Sequence, residues 1–326
     1  MLIPLLTIIV AFAILVWSAD LFVAGAASIA QNAGLSPVII GLTIVSLGTS
    51  APEILVSITA ALADSGGLAI GNAVGSNIAN IGLVLGLTVL IAPMQVHPGC
   101  SRTELPTLLI VTAGTGILLL DVELERSDAI MMITALVLIM TQMIRSQTKD
   151  SDVAQAAEAE DEELPHLQSA RAWTAFAIGL ALLVSSSKAL VWGASAIAMS
   201  LGVTELVIGL TVVAVGTSLP ELAATLTSAL RGHSEIAMGN IVGSNLFNLL
   251  AVMAMPGLLA PEALPANFLF RDYGAMCVAT VLLAALVYLG RGNKQAKPDH
   301  SFLGRGAGTL LCLGYALYYY GLFRTI

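Results

Sequence analysis

The chain contains one stretch twice, and that duplication constrains its fold more than any other feature. Residues 40–80 read IGLTIVSLGTSAPEILVSITAALADSGGLAIGNAVGSNIAN, and residues 208–248 read IGLTVVAVGTSLPELAATLTSALRGHSEIAMGNIVGSNLFN. Adding 168 to any position of the first copy gives its partner in the second, without a gap. Lipid-facing helices accept almost any apolar residue. Chance would therefore not hold Gly48, Thr49, Ser50, Pro52, Glu53, Gly71, Gly75, Ser76, Asn77 and Asn80 in register with their partners. The chain is an internal repeat.

The background in which these residues sit is apolar. Hydrophobic residues make up 57% of the chain and charged ones 10%, a composition that belongs to a polytopic membrane protein. A helix crossing a bilayer needs about 20 apolar residues. Segments 3–30, 37–62, 68–92, 103–120, 128–145, 172–200, 205–230, 235–260, 268–289 and 303–323 meet that need. The short alternating segments of a strand barrel are not seen. The first segment lacks the basic flank of a signal sequence. Its Gly25, Ile29, Ala30 and Gly34 recur as Gly193, Ile197, Ala198 and Gly202, so we read it as a retained helix of the repeat.

The segments group as 1–145, then a polar linker 146–171, then 172–326. Five spans per half is an odd number, so the second half must enter the membrane from the opposite side. The expected fold is thus an all-α polytopic membrane protein of about ten transmembrane helices in two inverted five-helix repeats. If the linker is cytoplasmic, so are Arg102, Arg145, Lys149, Arg171, Arg231, Arg291, Lys294, Lys297 and Arg305. Arg126, Arg271 and Arg324 lie on the other side. This bias of Lys and Arg predicts a multi-pass protein of a prokaryotic inner membrane with both termini outside the cytoplasm. The linker's acidic run, Glu158 and Glu160 to Glu163, lacks the glycine-turned loop of a calcium site and reads as a solvated connection.

Two glutamates stand deep in apolar runs, Glu53 and Glu221, each directly after a proline. A carboxylate in hydrocarbon is costly and marks an ion or substrate pathway. Pro52 has no N–H for the Gly48 carbonyl, and Pro220 none for that of Gly216, so both carbonyls are expected to be free. Broken backbone at that depth survives only where it is buried or lines a cavity. Thr49, Ser50 and Glu53 cluster by helical spacing, and Thr217, Ser218 and Glu221 repeat them. In the next helix Ser76, Asn77 and Asn80 offer hydroxyl and amide oxygens, repeated by Ser244, Asn245 and Asn248. Gly71 and Gly75, like Gly239 and Gly243, provide a small-residue packing face. The set is oxygen-only with a formal charge of −2. It suits Ca²⁺, which takes about six to eight oxygens, and Na⁺; nothing in it calls for a nitrogen- or sulfur-seeking metal.

GTSAPE with GNAVGSN, and GTSLPE with GNIVGSN, resemble the paired α-repeats of the cation/calcium exchanger superfamily, in particular its prokaryotic sodium/calcium exchanger type. The resemblance covers both halves. It implies a central cation site held by Glu53, Asn80, Glu221 and Asn248, joined by Thr49, Ser50, Ser76, Thr217, Ser218 and Ser244. It implies exchange of Ca²⁺ for Na⁺ by alternating access, with segments 3–30 and 172–200 as sliding gates. Asn248 is an aspartate in some relatives, including potassium-dependent ones, and the Asn here argues against potassium co-transport.

Other functions are weighed on the same residues. A buried Glu can carry protons, which keeps a Ca²⁺/H⁺ antiporter open. A gated cation channel would show rotational oligomer symmetry rather than an inverted repeat in one chain, and a monomer is expected. His97, His166, His233 and His300 fall in or beside loops, and Cys100, Cys277 and Cys312 are scattered. No enzyme machinery, resident cofactor or nucleic-acid surface is expected. Asp20 maps onto Lys188; the expectation is that each snorkels to an interface, with an Asp20–Lys188 ion pair as the sharper alternative.

Overall fold

The computed structural model describes residues 2–34, 37–62, 66–147, 167–201, 214–264 and 268–325. The acidic run of the linker, Gly202 and the first residues of the second copy (208–213) lie outside the described residues. The helices are α1 (Leu2–Ala33), α2 (Val38–Thr49), α3 (Ala51–Leu62), and α4, which runs from Gly66 to Ile91. They continue with α5 (Cys100–Asp121), α6 (Arg126–Gln147), α7 (Ser169–Ser200), α8 (Ala214–Thr217) and α9 (Leu219–Leu230). The last three are α10 (Ser234–Leu259), α11 (Phe268–Gly290) and α12 (Arg305–Thr325). Among the described residues, 7 helices are long and apolar enough to cross a membrane, and α2 with α3, bent by 43°, makes an eighth span. The expected last segment is the helix α12, in which glycines and tyrosines dilute the apolar run. Large apolar side chains such as Ile9, Phe12, Ile110, Leu138, Val278 and Leu317 stand exposed on the outer faces, as they must where the solvent is lipid.

The duplication is visible in the backbone, turn by turn. A π-helical turn opens at Asn80 in α4 and again at Asn248 in α10, and another opens at Cys100 and at Phe268. Short strands follow α4 and α10 at β1 (Met94–Val96) and β3 (Glu262–Ala263). Two others are β2 (Glu123–Leu124) and β4 (Ser301–Leu303). β1 pairs with β4 and β3 with β2, both antiparallel. This pairing shows the inversion directly. β1 precedes α5 and β2 follows it, so they lie at opposite ends of one membrane-crossing helix. β3, the repeat partner of β1, pairs with β2 and is therefore at the end opposite to β1. The two halves are inverted repeats.

The long helices α1 and α7 say the same. A Cβ added at Gly25 would meet the Phe176 backbone N at 2.5 Å; one at Gly179 would meet Phe22 N at 2.6 Å, and one at Gly193 would meet Ile8 Cγ1 at 2.9 Å. The partner numbers fall as those of α7 rise, so these equivalent helices pack antiparallel, with glycines allowing backbone contact. That register sets Asp20 level with Ala181, two turns (about 10 Å) short of Lys188. An Asp20–Lys188 pair is thereby ruled out, and so is free snorkelling of Asp20, because its carboxylate is ion-paired with Arg231 at the end of α9. Asp20 does make a salt bridge between the repeats, but with Arg231 rather than Lys188. The partner was hidden because it comes from a third helix.

Side chains from α1, α7 and the start of α2 form one packed cluster, including Phe22, Ala26, Ile40 and Leu183. A larger one surrounds α4 and α10 and takes in α5 and α11. The latter two helices frame the motif helices. Near the β1–β4 ribbon, Arg291 donates to Ser101 Oγ at 2.7 Å, and the Lys297 N–H to Gln95 Oε1 at 3.2 Å. His97 and His300 meet edge to face there, with ring centroids 5.5 Å apart. Residues expected on one side of the membrane are thus gathered at one end of the molecule.

Candidate cation site

Each copy of GTSxPE breaks its helix at the serine. Ser50 ends α2 with φ −84° and ψ 0°, and Ser218 ends α8 with φ −88° and ψ 4°. The proline two residues on, at Pro52 and Pro220, cannot complete the ladder. The chain restarts with Glu53 and Glu221 in the first turn of α3 and α9, so both carboxylates sit next to a helix start. Negative charge is favoured there.

The two carboxylates are buried within electrostatic reach of each other. Glu53 and Glu221 are each only 1% exposed. The Glu221 carboxyl lies beside the Thr49 and Ser50 hydroxyls of the other copy and within electrostatic reach of Glu53. Around them Asn80, Asn248, Thr49, Ser50, Ser218, Ser76 and Ser244 are all buried. Thr217 is half-buried. The π-helical turns at Asn80 and Asn248 widen each helix at the amide, a distortion common at functional sites.

Hydrogen bonds stitch the halves together at this level. Asn80 Nδ2 donates to Asn245 Oδ1 at 3.2 Å. Thr49 Oγ1 can donate to Asn240 Oδ1 at 3.2 Å and lies 3.5 Å from Ser244 Oγ. Asn240 Nδ2 in turn donates to Thr225 Oγ1 at 2.9 Å, and Ser57 Oγ to the Val252 carbonyl at 2.7 Å. Asn245, Asn240 and Ser57 were not among the expected central ligands. They build the frame. Their signal was in the repeat: Asn72 recurs as Asn240, Asn77 as Asn245, and Ser57 keeps a hydroxyl as Thr225.

After this stitching a set of oxygens is left over. Glu53 Oε2, Asn77 Oδ1, Asn80 Oδ1, Asn248 Oδ1 and the Ser218 hydroxyl are buried and have no hydrogen-bond partner, and Glu221 Oε2 has beside it only the Thr49 and Ser50 hydroxyls of the other copy. Buried polar atoms nearly always find partners, and each orphan needs an explanation. The oxygens named here all come from the two repeated stretches, and each can coordinate a cation; other partnerless atoms, such as Thr88 Oγ1 and Ser301 Oγ, lie elsewhere. Five are formal acceptors with no proton to give. A dehydrated oxygen-seeking cation fits them.

The backbone expectation needs one correction. The Gly216 carbonyl, freed by Pro220, is not left open: Ser187 Oγ of α7 donates to it at 2.8 Å. A carbonyl at this depth costs free energy until something pairs with it, and the neighbouring helix supplies a hydroxyl. The equivalent of Ser187 in the first half is Ala19, so Gly48 receives no such bond from α1. Ser187→Ala is therefore expected to lower stability by about 1 kcal/mol, read as earlier thermal unfolding of the detergent-solubilised protein. Gly239 and Gly243 do pack as expected, the first against Val38 and Leu42, the second against Ser46. For Gly71 and Gly75, most of the residues that the repeat would set against them (Leu206, Gly209 and Leu210) lie outside the described residues.

A crevice of about 360 Å³ reaches the motif from outside, lined by Pro52, Ser187, Lys188, Gly216, Thr217 and Pro220 among others. A second, of about 440 Å³, lies between α1 and α7 and is lined almost wholly by apolar side chains.

The family model described as "Sodium/calcium exchanger protein" matches residues 3–144 and 171–324. The chain belongs to the sodium/calcium exchanger protein family. It is 41% identical to "Putative antiporter CaxA" of Alkalimonas amylolytica over 100% of both chains. It is 30% identical to "Sodium/calcium exchanger MaX1" of Methanosarcina acetivorans, over 88% of this chain and 91% of that one. Among solved structures, the sodium-calcium exchanger NCX_Mj soaked with 10 mM Na⁺ and zero Ca²⁺ superimposes with a TM-score of 0.83 at 27% identity, covering 99% of this chain and 100% of that one. Members of this exchanger family are multi-pass membrane transporters rather than enzymes, and this chain is a cation/calcium antiporter of that kind.

Proposed function

We propose that the protein exchanges Ca²⁺ for Na⁺ across the membrane by alternating access at the site between the two halves. The observation that carries this reading is the burial of Glu53 and Glu221, one from each inverted half and within electrostatic reach of each other, in a molecule where the equally buried Asn80 and Asn248 oxygens are partnerless. In it, Glu53, Asn80, Glu221 and Asn248 bind the cation, joined by Thr49, Ser50, Ser76, Thr217, Ser218 and Ser244. Both ions compete for the same two carboxylates. An empty site leaves two buried carboxyl groups without their cation, which is unfavourable, so only loaded states interconvert readily, and a ligand shifts the equilibrium by its binding to each state. The antiparallel α1–α7 pair, packed through glycines across the outside of the site, is suited to slide as one gate.

In this reading the halves are 1–145 and 172–326, joined by a cytoplasmic linker 146–171 with both termini on the far side. The unit of function is the monomer, because both carboxylates come from one chain. The two stretches matched by the family model support that division. The test is ⁴⁵Ca²⁺ uptake into proteoliposomes. Uptake is expected to follow an outward Na⁺ gradient and to be absent under a pH gradient without Na⁺. Uptake driven by the pH gradient alone would replace Na⁺ by H⁺ as the coupling ion.

A further inference from the structure

Lys188 is the unexplained charge. It lies well inside the membrane-crossing helix α7, yet its side chain is exposed and has no ion-pair partner among the described residues. A lysine at such a position is tolerated where it faces a water-filled cavity. Lys188 lines the crevice that also reaches Thr217, Gly216 and both motif prolines. The neighbouring Ser187 fixes this part of α7 against the motif through its bond to the Gly216 carbonyl. The crevice therefore leads to the motif with a fixed positive charge in its wall.

We propose that Lys188 is a specificity-determining residue: it sets up a positive potential in one access route and so weakens Ca²⁺ entry relative to Na⁺ entry from that side. The inference rests on the exchange function proposed above. A fixed potential lowers the local concentration of an ion by a factor that rises exponentially with its charge. If Na⁺ is depleted by some factor, Ca²⁺ is depleted by its square. The repeat makes the device one-sided. The equivalent residue in the other half is Asp20, an anion, and its charge is balanced by Arg231. The two faces of the carrier thus differ electrostatically, although the ligands they lead to are duplicated.

The test compares the unaltered protein with Lys188→Gln, Lys188→Glu and Lys188→Arg in proteoliposomes of known orientation, reading half-saturating Ca²⁺ and Na⁺ from each face. Lys188→Gln is expected to lower half-saturating Ca²⁺ about 5-fold and Na⁺ about 2-fold from one face only. Lys188→Glu should move both further, and Lys188→Arg should restore the original values. Raising ionic strength with choline chloride should shrink the differences, because salt screens such a potential. Equal shifts for the two ions, salt-independent shifts, or no shift in Lys188→Gln would overturn the inference while leaving exchange itself standing. An unaltered protein that moves no Ca²⁺ would defeat the exchange reading and this one together.

Discussion

Glu53→Gln and Glu221→Gln should each reduce Na⁺-driven ⁴⁵Ca²⁺ flux by about 100-fold or more. A buried divalent ion that loses one of two carboxylates loses a charge-assisted interaction worth about 3 kcal/mol, two orders of magnitude in affinity. Glutamine fills the same volume and keeps one oxygen, so the loss will not come from misfolding. The stability of the ion-free protein should in fact hold or rise. Glu53 and Glu221 are both fully enclosed, and removing one buried charge relieves the repulsion. Calcium should raise the unfolding temperature of the unaltered protein, because it binds only the folded state. In either variant that rise should disappear. Retained flux in one variant would remove that glutamate from the site.

Gly25→Leu should be the most damaging change away from the motif. Even a methyl group at Gly25 would lie 2.5 Å from the Phe176 N and 2.9 Å from the Ala172 carbonyl oxygen, atoms of a helix backbone that cannot turn aside. Overpacking typically costs about 1–3 kcal/mol. A leucine against backbone belongs at the upper end, since α1 and α7 must separate along their length. The expected result is a lower unfolding temperature and transport reduced at least as far as stability. Gly114→Leu is the matched control, because Gly114 is exposed and nothing lies within 4 Å of a Cβ there. Equal behaviour of the two variants would show that close contact of α1 and α7 is dispensable.

Much of this was legible in the sequence, because the repeat marks the residues that composition cannot. Polar and kinking residues kept at one offset pointed to Glu53, Glu221, Asn80 and Asn248, and the structure buries each of the four. The odd number of spans pointed to inversion, and the strand pairing of β1 with β4 and β2 with β3 bears it out. What stayed hidden depended on contacts between helices far apart in the chain. Arg231 as the partner of Asp20 depends on how α1 sits against the end of α9, and Ser187 as the donor to Gly216 on how α7 sits against α8; no local pattern encodes either placement. The π-helical turns at Asn80 and Asn248 were also unreadable. They follow no periodic signal and are held by packing around the amides.

The central claim is that one chain binds one calcium ion between two glutamates supplied by opposite halves, and that Na⁺ competes for the same place. Equilibrium ⁴⁵Ca²⁺ binding to the purified protein tests this most directly. The expected result is a single site per chain, displaced by Na⁺ and lost in both Glu53→Gln and Glu221→Gln. Calcium that stays bound in both variants, or that Na⁺ fails to displace, would contradict it.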